Sequence, residues 1–299
     1  MQLKAANPIC YARWLRGIDL VRSLRRISAI VLVLGLAGSV IAFQEGSSLF
    51  QRQGSYFPQG YSDDYFGSNS KEPSEFYWSR LRYTSRTDNY AQFGGYGYGY
   101  GSSWSRDYPK ADRQFLMALK RLTRIEARPT EQVVDLDSDD IFNYPWVYAV
   151  QVANWTFTDA EARRLHDYLL KGGFLMVDDF HGTADWDRFM AGMRMVFPDR
   201  PVEDLSDNDE IFHGLYDIGA RFQVPGEQYV WSGRTYEKDG YVPKWRAIRD
   251  DKGRVMVAIC HNMHLGDAWE WADDPRYPER FASMAFRVGL DYIMYGMTH

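Results

Sequence analysis

Residues 146–179 read WVYAVQVANWTFTDAEARRLHDYLLKGGFLMVDD, an apolar run, a helical stretch and a second apolar run. The run from Trp146 to Val152 suits a strand buried on both faces of a sheet. Thr158-x-x-Glu161 then forms a capping box, in which a hydroxyl and a carboxylate satisfy each other's backbone N–H groups at a helix start. Ala162, Leu165 and Leu169 mark one helix face, and Gly172-Gly173 ends it. Phe174 to Val177 is the next buried strand.

The same alternation extends in both directions. Upstream, Phe115, Leu116, Leu119 and Leu122 recur at helical spacing before a short strand, Gln132 to Leu136. Downstream, Trp186, Phe189, Met190, Met193 and Phe197 define an amphipathic helix ended by Pro198, and its methionines read as core. Trp245 to Arg249 and Arg254 to Ile259 flank Asp250-Asp251-Lys252-Gly253, a turn of hairpin type that predicts an antiparallel pair. Phe281, Met284, Ala285, Val288 and Tyr292 form the stripe of a carboxyl-terminal helix. The aromatic run Phe76 to Tyr83 reads as a strand and opens the folded part, residues 76–299. The Gly/Tyr alternation Gly94 to Gly101 reads as a surface loop. Helix-like and strand-like units in alternation predict an α/β domain.

Composition narrows the partners. The 299 residues are 45% apolar and 25% charged, with a net charge of −5, which is ordinary globular usage without a basic field for nucleic acid. Cys10 and Cys260 are too few for a disulfide framework or a cysteine zinc site.

The amino-terminal segment points to a membrane. Residues 1–26 are a basic leader, with Arg13, Arg16, Arg22, Arg25 and Arg26 near its end. Ile27 to Phe43 follows without a charge, just long enough for a bilayer core. The length of the leader favours an uncleaved anchor over a cleaved signal peptide. Positive charge before the anchor places the leader in the cytoplasm and the rest of the chain outside. Residues 44–75, rich in Gly, Ser, Gln and Asn, read as a tether.

Several short motifs occur together: Phe76-x-x-x-Arg80-Leu81-Arg82-Tyr83, Asp107-Tyr108-Pro109-x-x-Asp112, Tyr144-Pro145, Gly172-Gly173-Phe174-Leu175-x-x-Asp178-Asp179 and the ending Tyr295 to His299. In this combination the chain, over residues 55–299, resembles the bacterial domain-of-unknown-function family 4159. The resemblance implies a class I glutamine amidotransferase-like architecture, a flavodoxin-like, largely parallel sheet with helices on both faces. It implies no activity. Class I amidotransferases need a cysteine at a strand-to-helix elbow, and here the matching strand ends in Asp178-Asp179-Phe180-His181-Gly182. Glutaminase chemistry is therefore disfavoured, and Cys260 reads as an ordinary buried residue.

Two clusters follow strand ends, where open α/β sheets bind ligands. Asp178, Asp179 and His181 are material for a divalent metal or for acid/base work, against the local alternative of helix capping and turn hydrogen bonds. His261, His264, Asp267 and Glu270 recur in three-residue steps that match no established metal motif, against the alternative of histidines bonded to loop backbone. Strand ends of a parallel sheet share one edge, so a carboxylate of Asp178 or Asp179 is expected within about 10 Å of His261 or His264. A reversed strand before His261 would send it to the opposite edge. The expected function is a non-enzymatic binding or assembly component of the bacterial envelope. The rival is a metal-assisted hydrolase of an envelope saccharide or peptide.

Overall fold

Among the described residues seven strands form one sheet: β1 (Ser79–Arg82), β2 (Gln132–Asp135), β3 (Trp146–Val150), β4 (Phe174–Asp178), β5 (Glu203–Asp204), β6 (Lys244–Arg249) and β7 (Val255–His261). Their spatial order is β2-β1-β3-β4-β7-β6-β5. The neighbours from β2 to β7 pair in parallel, whereas β6 and β5 are antiparallel additions at one side. The computed structural model describes residues 74–86 and 103–299, within the unit Gly60–His299. The basic leader, the apolar segment 27–43, the tether up to residue 73 and the Gly/Tyr run lie outside the described residues.

Strand residues alternate between two faces, and each face is covered by helices. Trp146, Tyr148 and Val150 of β3, with Phe174 and Met176 of β4, face one core. That core also takes side chains from α1 (Lys110–Leu122), α5 (Leu265–Glu270) and α6 (Glu279–Thr298). Val147, Ala149, Leu175 and Val177 face the other, beneath α2 (Asp159–Leu170) and α3 (Gly182–Val196). A short helix, α4 (Gln228–Ser232), lies in the long connection between β5 and β6. The predicted capping box is present: Glu161 N donates to Thr158 Oγ1 at 3.2 Å, and Thr158 N donates to Glu161 Oε2 at 2.7 Å. The apolar run after Trp146 is strand only to Val150, because Gln151 takes a left-handed φ of 48° and starts a turn. Among the described residues no helix is long and apolar enough to cross a membrane.

The hairpin around Gly253 is present, and the reversed strand in it is β6. Because β7 pairs in parallel with β4, the ends of β4 and β7 reach the same edge of the sheet. A third segment is brought to that edge by Arg80. This guanidinium is fully buried and bonds Asp112 of α1 through Nε at 3.1 Å and Nη2 at 2.5 Å. Asp112 also accepts from Trp78 Nε1. Arg80 Nη1 donates to the Arg106 carbonyl at 3.3 Å, fixing the chain just before Asp107.

Candidate functional site

Three loops meet at the carboxyl edge, and each turns on a left-handed residue. Asp107, Asp179 and Asn262 have φ of 62°, 55° and 65°. Asp and Asn are the side chains that adopt this region with least penalty, and such strained positions gather at functional sites. His264 is the hub. Its Nε2 lies 2.8 Å from Asp107 Oδ2 and 3.5 Å from Asp179 Oδ2, and its Nδ1 lies 3.2 Å from Asp267 Oδ2. Asp267 Oδ2 also accepts from Glu227 N at 2.6 Å. Two glycines let the walls close this tightly. A Cβ on Gly226 would lie 2.5 Å from Asp267 Oδ2 and 2.8 Å from His264 Nδ1. One on Gly266 would lie 2.8 Å from both Asp107 Oδ2 and Tyr148 OH.

The helix-capping half of the local alternative for the Asp178 cluster does not hold. At the start of α3 the caps come from elsewhere: Asp185 Oδ2 accepts from His181 N, Asn262 Oδ1 from Gly182 N, and Asp239 from Thr183 N. Asp178 Oδ2 instead accepts from Tyr148 OH at 3.0 Å and from Gly266 N at 2.9 Å, tying β4 to the helix that carries Asp267. Asp178 Oδ1, Asp179 Oδ2 and both ring nitrogens of His181 are buried without a hydrogen-bond partner. His181 Nε2 stands 3.4 Å from Asp179 Oδ1 and 3.6 Å from Glu237 Oε1.

These environments separate the protonation states. Burial pushes the Asp178 carboxyl up to about 6. Burial acts the same way on Asp179, but His264, His181 and Arg106 overcome it and hold Asp179 below the usual carboxylate range. Burial alone would discharge His264, and Asp179, Asp267 and Asp107 together keep its ring protonated. Burial raises Asp267 well above its ordinary value, and His264 offsets only part of that. Glu270, half-buried at the end of α5, is pushed up to about 7 by burial and by Asp107.

His261 stands apart from this group. Strand parity turns it to the α3 side, where its ring stacks on Phe180 at 4.8 Å and lies 4.9 Å from Trp186. Its Nε2 faces the Gly182 carbonyl at 3.2 Å, and burial pulls its pKa down to about 4. The loop-backbone alternative thus describes His261 and not His264. Cys260 is fully buried in β7 and burial pushes its thiol well up, the opposite of an activated nucleophile. Cys10 lies outside the described residues.

Asp107 and Tyr148 belong to the site and were not among the candidate residues. For Asp107 a signal existed, since Asp107-Tyr108-Pro109 is one of the motifs that carry the family resemblance. Tyr148 sits inside an apolar strand and gave none.

An α/β protein with a buried acid and imidazole cluster at the carboxyl edge of its sheet is the class that fold and site define. A family model described as a domain of unknown function, DUF4159, matches residues 92–297, and the chain belongs to that family. Comparison with the curated proteins gives no match.

Proposed function

We propose that this chain is a membrane-anchored protein of the bacterial envelope that hydrolyses a saccharide or peptide at the carboxyl edge of its sheet. The observation that carries the reading is geometric: Asp107, Asp179 and Asp267 gather within 2.8 to 3.5 Å of the buried His264 ring at the carboxyl edge of the sheet, and Glu270, which burial pushes up to about 7, ends the helix that carries Asp267. Glu270, half-buried and titrating near neutrality, donates its proton to the leaving oxygen or nitrogen. Asp179 stays ionised and orients the attacking water. The water oxygen bonds to the reacting carbon as the bond to the leaving atom breaks, and the water's proton replaces the one Glu270 gave. One water is consumed.

The parallel strands, counted in chain order, run 2-1-3-4-5, which supports the flavodoxin-like and amidotransferase-like architecture. Burial of Cys260 supports a chemistry other than glutaminase. The arginine-rich leader before the charge-free segment 27–43 supports the envelope location. A reporter active only outside the cytoplasm, fused after residue 60, is expected to be active, and silence there would overturn the placement.

The hydrolytic reading is tested on the full chain in detergent, with cell-wall saccharide and cell-wall peptide as substrates, by release of reducing ends or amines. Release is expected from one of the two, and Glu270→Gln should lower kcat by about 10²- to 10⁴-fold. No release from either substrate defeats the reading and leaves the non-enzymatic binding role.

A further inference from the structure

We propose that Asp107, Asp179 and His264 Nε2 are the protein ligands of a borderline divalent cation, and that Asp267 orients His264 for it. This rests on the hydrolytic reading in one respect only: the cation is how Asp179 would orient the attacking water.

Donor atoms gather around the His264 ring. Asp107, His264 and Asp267 each offer a donor atom, and the three atoms lie within 4.8 Å of one another. Two of the carboxylates face the same ring nitrogen, Nε2, at 2.8 and 3.5 Å. Asp267 sits on the other nitrogen, and its oxygen is already fixed by Glu227 N. An imidazole with one nitrogen on a carboxylate and the other turned toward an acidic pair is the usual outer support of a metal-bound histidine.

A second observation points to a ligand independently of the acidic grouping. The Asp179 side chain is 8% exposed, and its Oδ2 has no hydrogen-bond partner although it is aimed at His264 Nε2. This oxygen is ion-paired with His264 at 3.5 Å but makes no hydrogen bond, so a cation that replaces the Nε2 proton would give it a closer partner than it now has. Here Asp179 N is bonded to the Met263 carbonyl, so the backbone holds the carboxylate at this place. A cation entering displaces the Nε2 proton of His264 and takes its three-fold coordination from the protein, with open positions for water or substrate.

The donor set limits the ion. Two carboxylates with one imidazole suit Mn²⁺ or Zn²⁺, whereas Ca²⁺ prefers six or more oxygens. Calorimetric titration of the full chain in detergent with MnCl₂, ZnCl₂ and CaCl₂ tests this. One equivalent of Mn²⁺ or Zn²⁺ is expected to bind more tightly than Ca²⁺. Asp179→Asn, nearly isosteric, should weaken that binding at least about 100-fold. Asp267→Asn should weaken it about 10- to 100-fold while the stoichiometry stays at one. His264→Gln should abolish it, and if that variant fails to fold, by circular dichroism, Asp179→Asn decides. Absence of binding by either ion, or equal binding by wild type and Asp179→Asn, overturns the centre. Hydrolysis without metal binding would defeat the centre and spare the hydrolytic reading. Metal binding sensitive to Asp179→Asn, without hydrolysis, would do the reverse.

Discussion

Asp112→Ala is expected to destabilise the folded chain by about 3 to 5 kcal/mol, measured by urea unfolding of the purified protein. The Arg80 and Asp112 side chains are both fully buried, so the substitution leaves a guanidinium in the core with no carboxylate to offset its desolvation. Trp78 Nε1 loses its acceptor at the same time. Replacing both partners removes the stranded charge, so Arg80→Met with Asp112→Leu should recover most of the loss. The damage should also reach the site, because Arg80 holds the Arg106 carbonyl next to Asp107. A cost below about 1 kcal/mol for Asp112→Ala would mean that this pair does not anchor α1 to the sheet.

Asp178→Asn is expected to do the opposite above neutrality. The Asp178 carboxyl is fully buried and raised from 3.8 to about 6, so the folded state holds a proton that the unfolded chain releases. Below pH 4 both states are protonated and the group is neutral to stability. Between pH 4 and 6 stability falls as pH rises, and above 6 the folded protein carries the full cost of a buried charge, about 2 to 3 kcal/mol. Asparagine keeps an oxygen for Tyr148 OH and Gly266 N but cannot ionise. In the presence of a chelator, the variant should therefore exceed wild type by about 2 kcal/mol at pH 8 and match it at pH 4. A variant equal to wild type at pH 8 would show that Asp178 is not held as a buried charge there.

The parallel core was legible because buried strands and amphipathic helices leave different periods in the chain. Phe174 to Val177 and the stripe through Ala162, Leu165 and Leu169 say what they become, and the Thr158 capping box marks the boundary to the residue. The direction of β7 relative to β4 was not legible, since a hairpin shows only that one of its two strands is reversed. The site was legible in part. Asp178, Asp179 and His264 announce themselves by following strands, but the even spacing from His261 to Glu270 suggested one unit where the structure makes two. His261 ends a strand and keeps its parity, while Asn262 turns the chain in left-handed conformation and delivers His264 to the other side. Asp107 arrives from a loop 71 residues before Asp178, placed by the Arg80 contact to its neighbour, and no local pattern encodes a meeting of that range.

A crystal of the full chain grown with ZnCl₂ and measured at the zinc absorption edge tests most directly the cation proposed between the three loops. A single anomalous peak is predicted among Asp107, Asp179 and His264 Nε2, with ligand distances of about 2.0 to 2.2 Å and Asp267 on Nδ1. Full-strength peaks elsewhere with none at this place, or a His264 still hydrogen-bonded to Asp107 at saturating zinc, would contradict it.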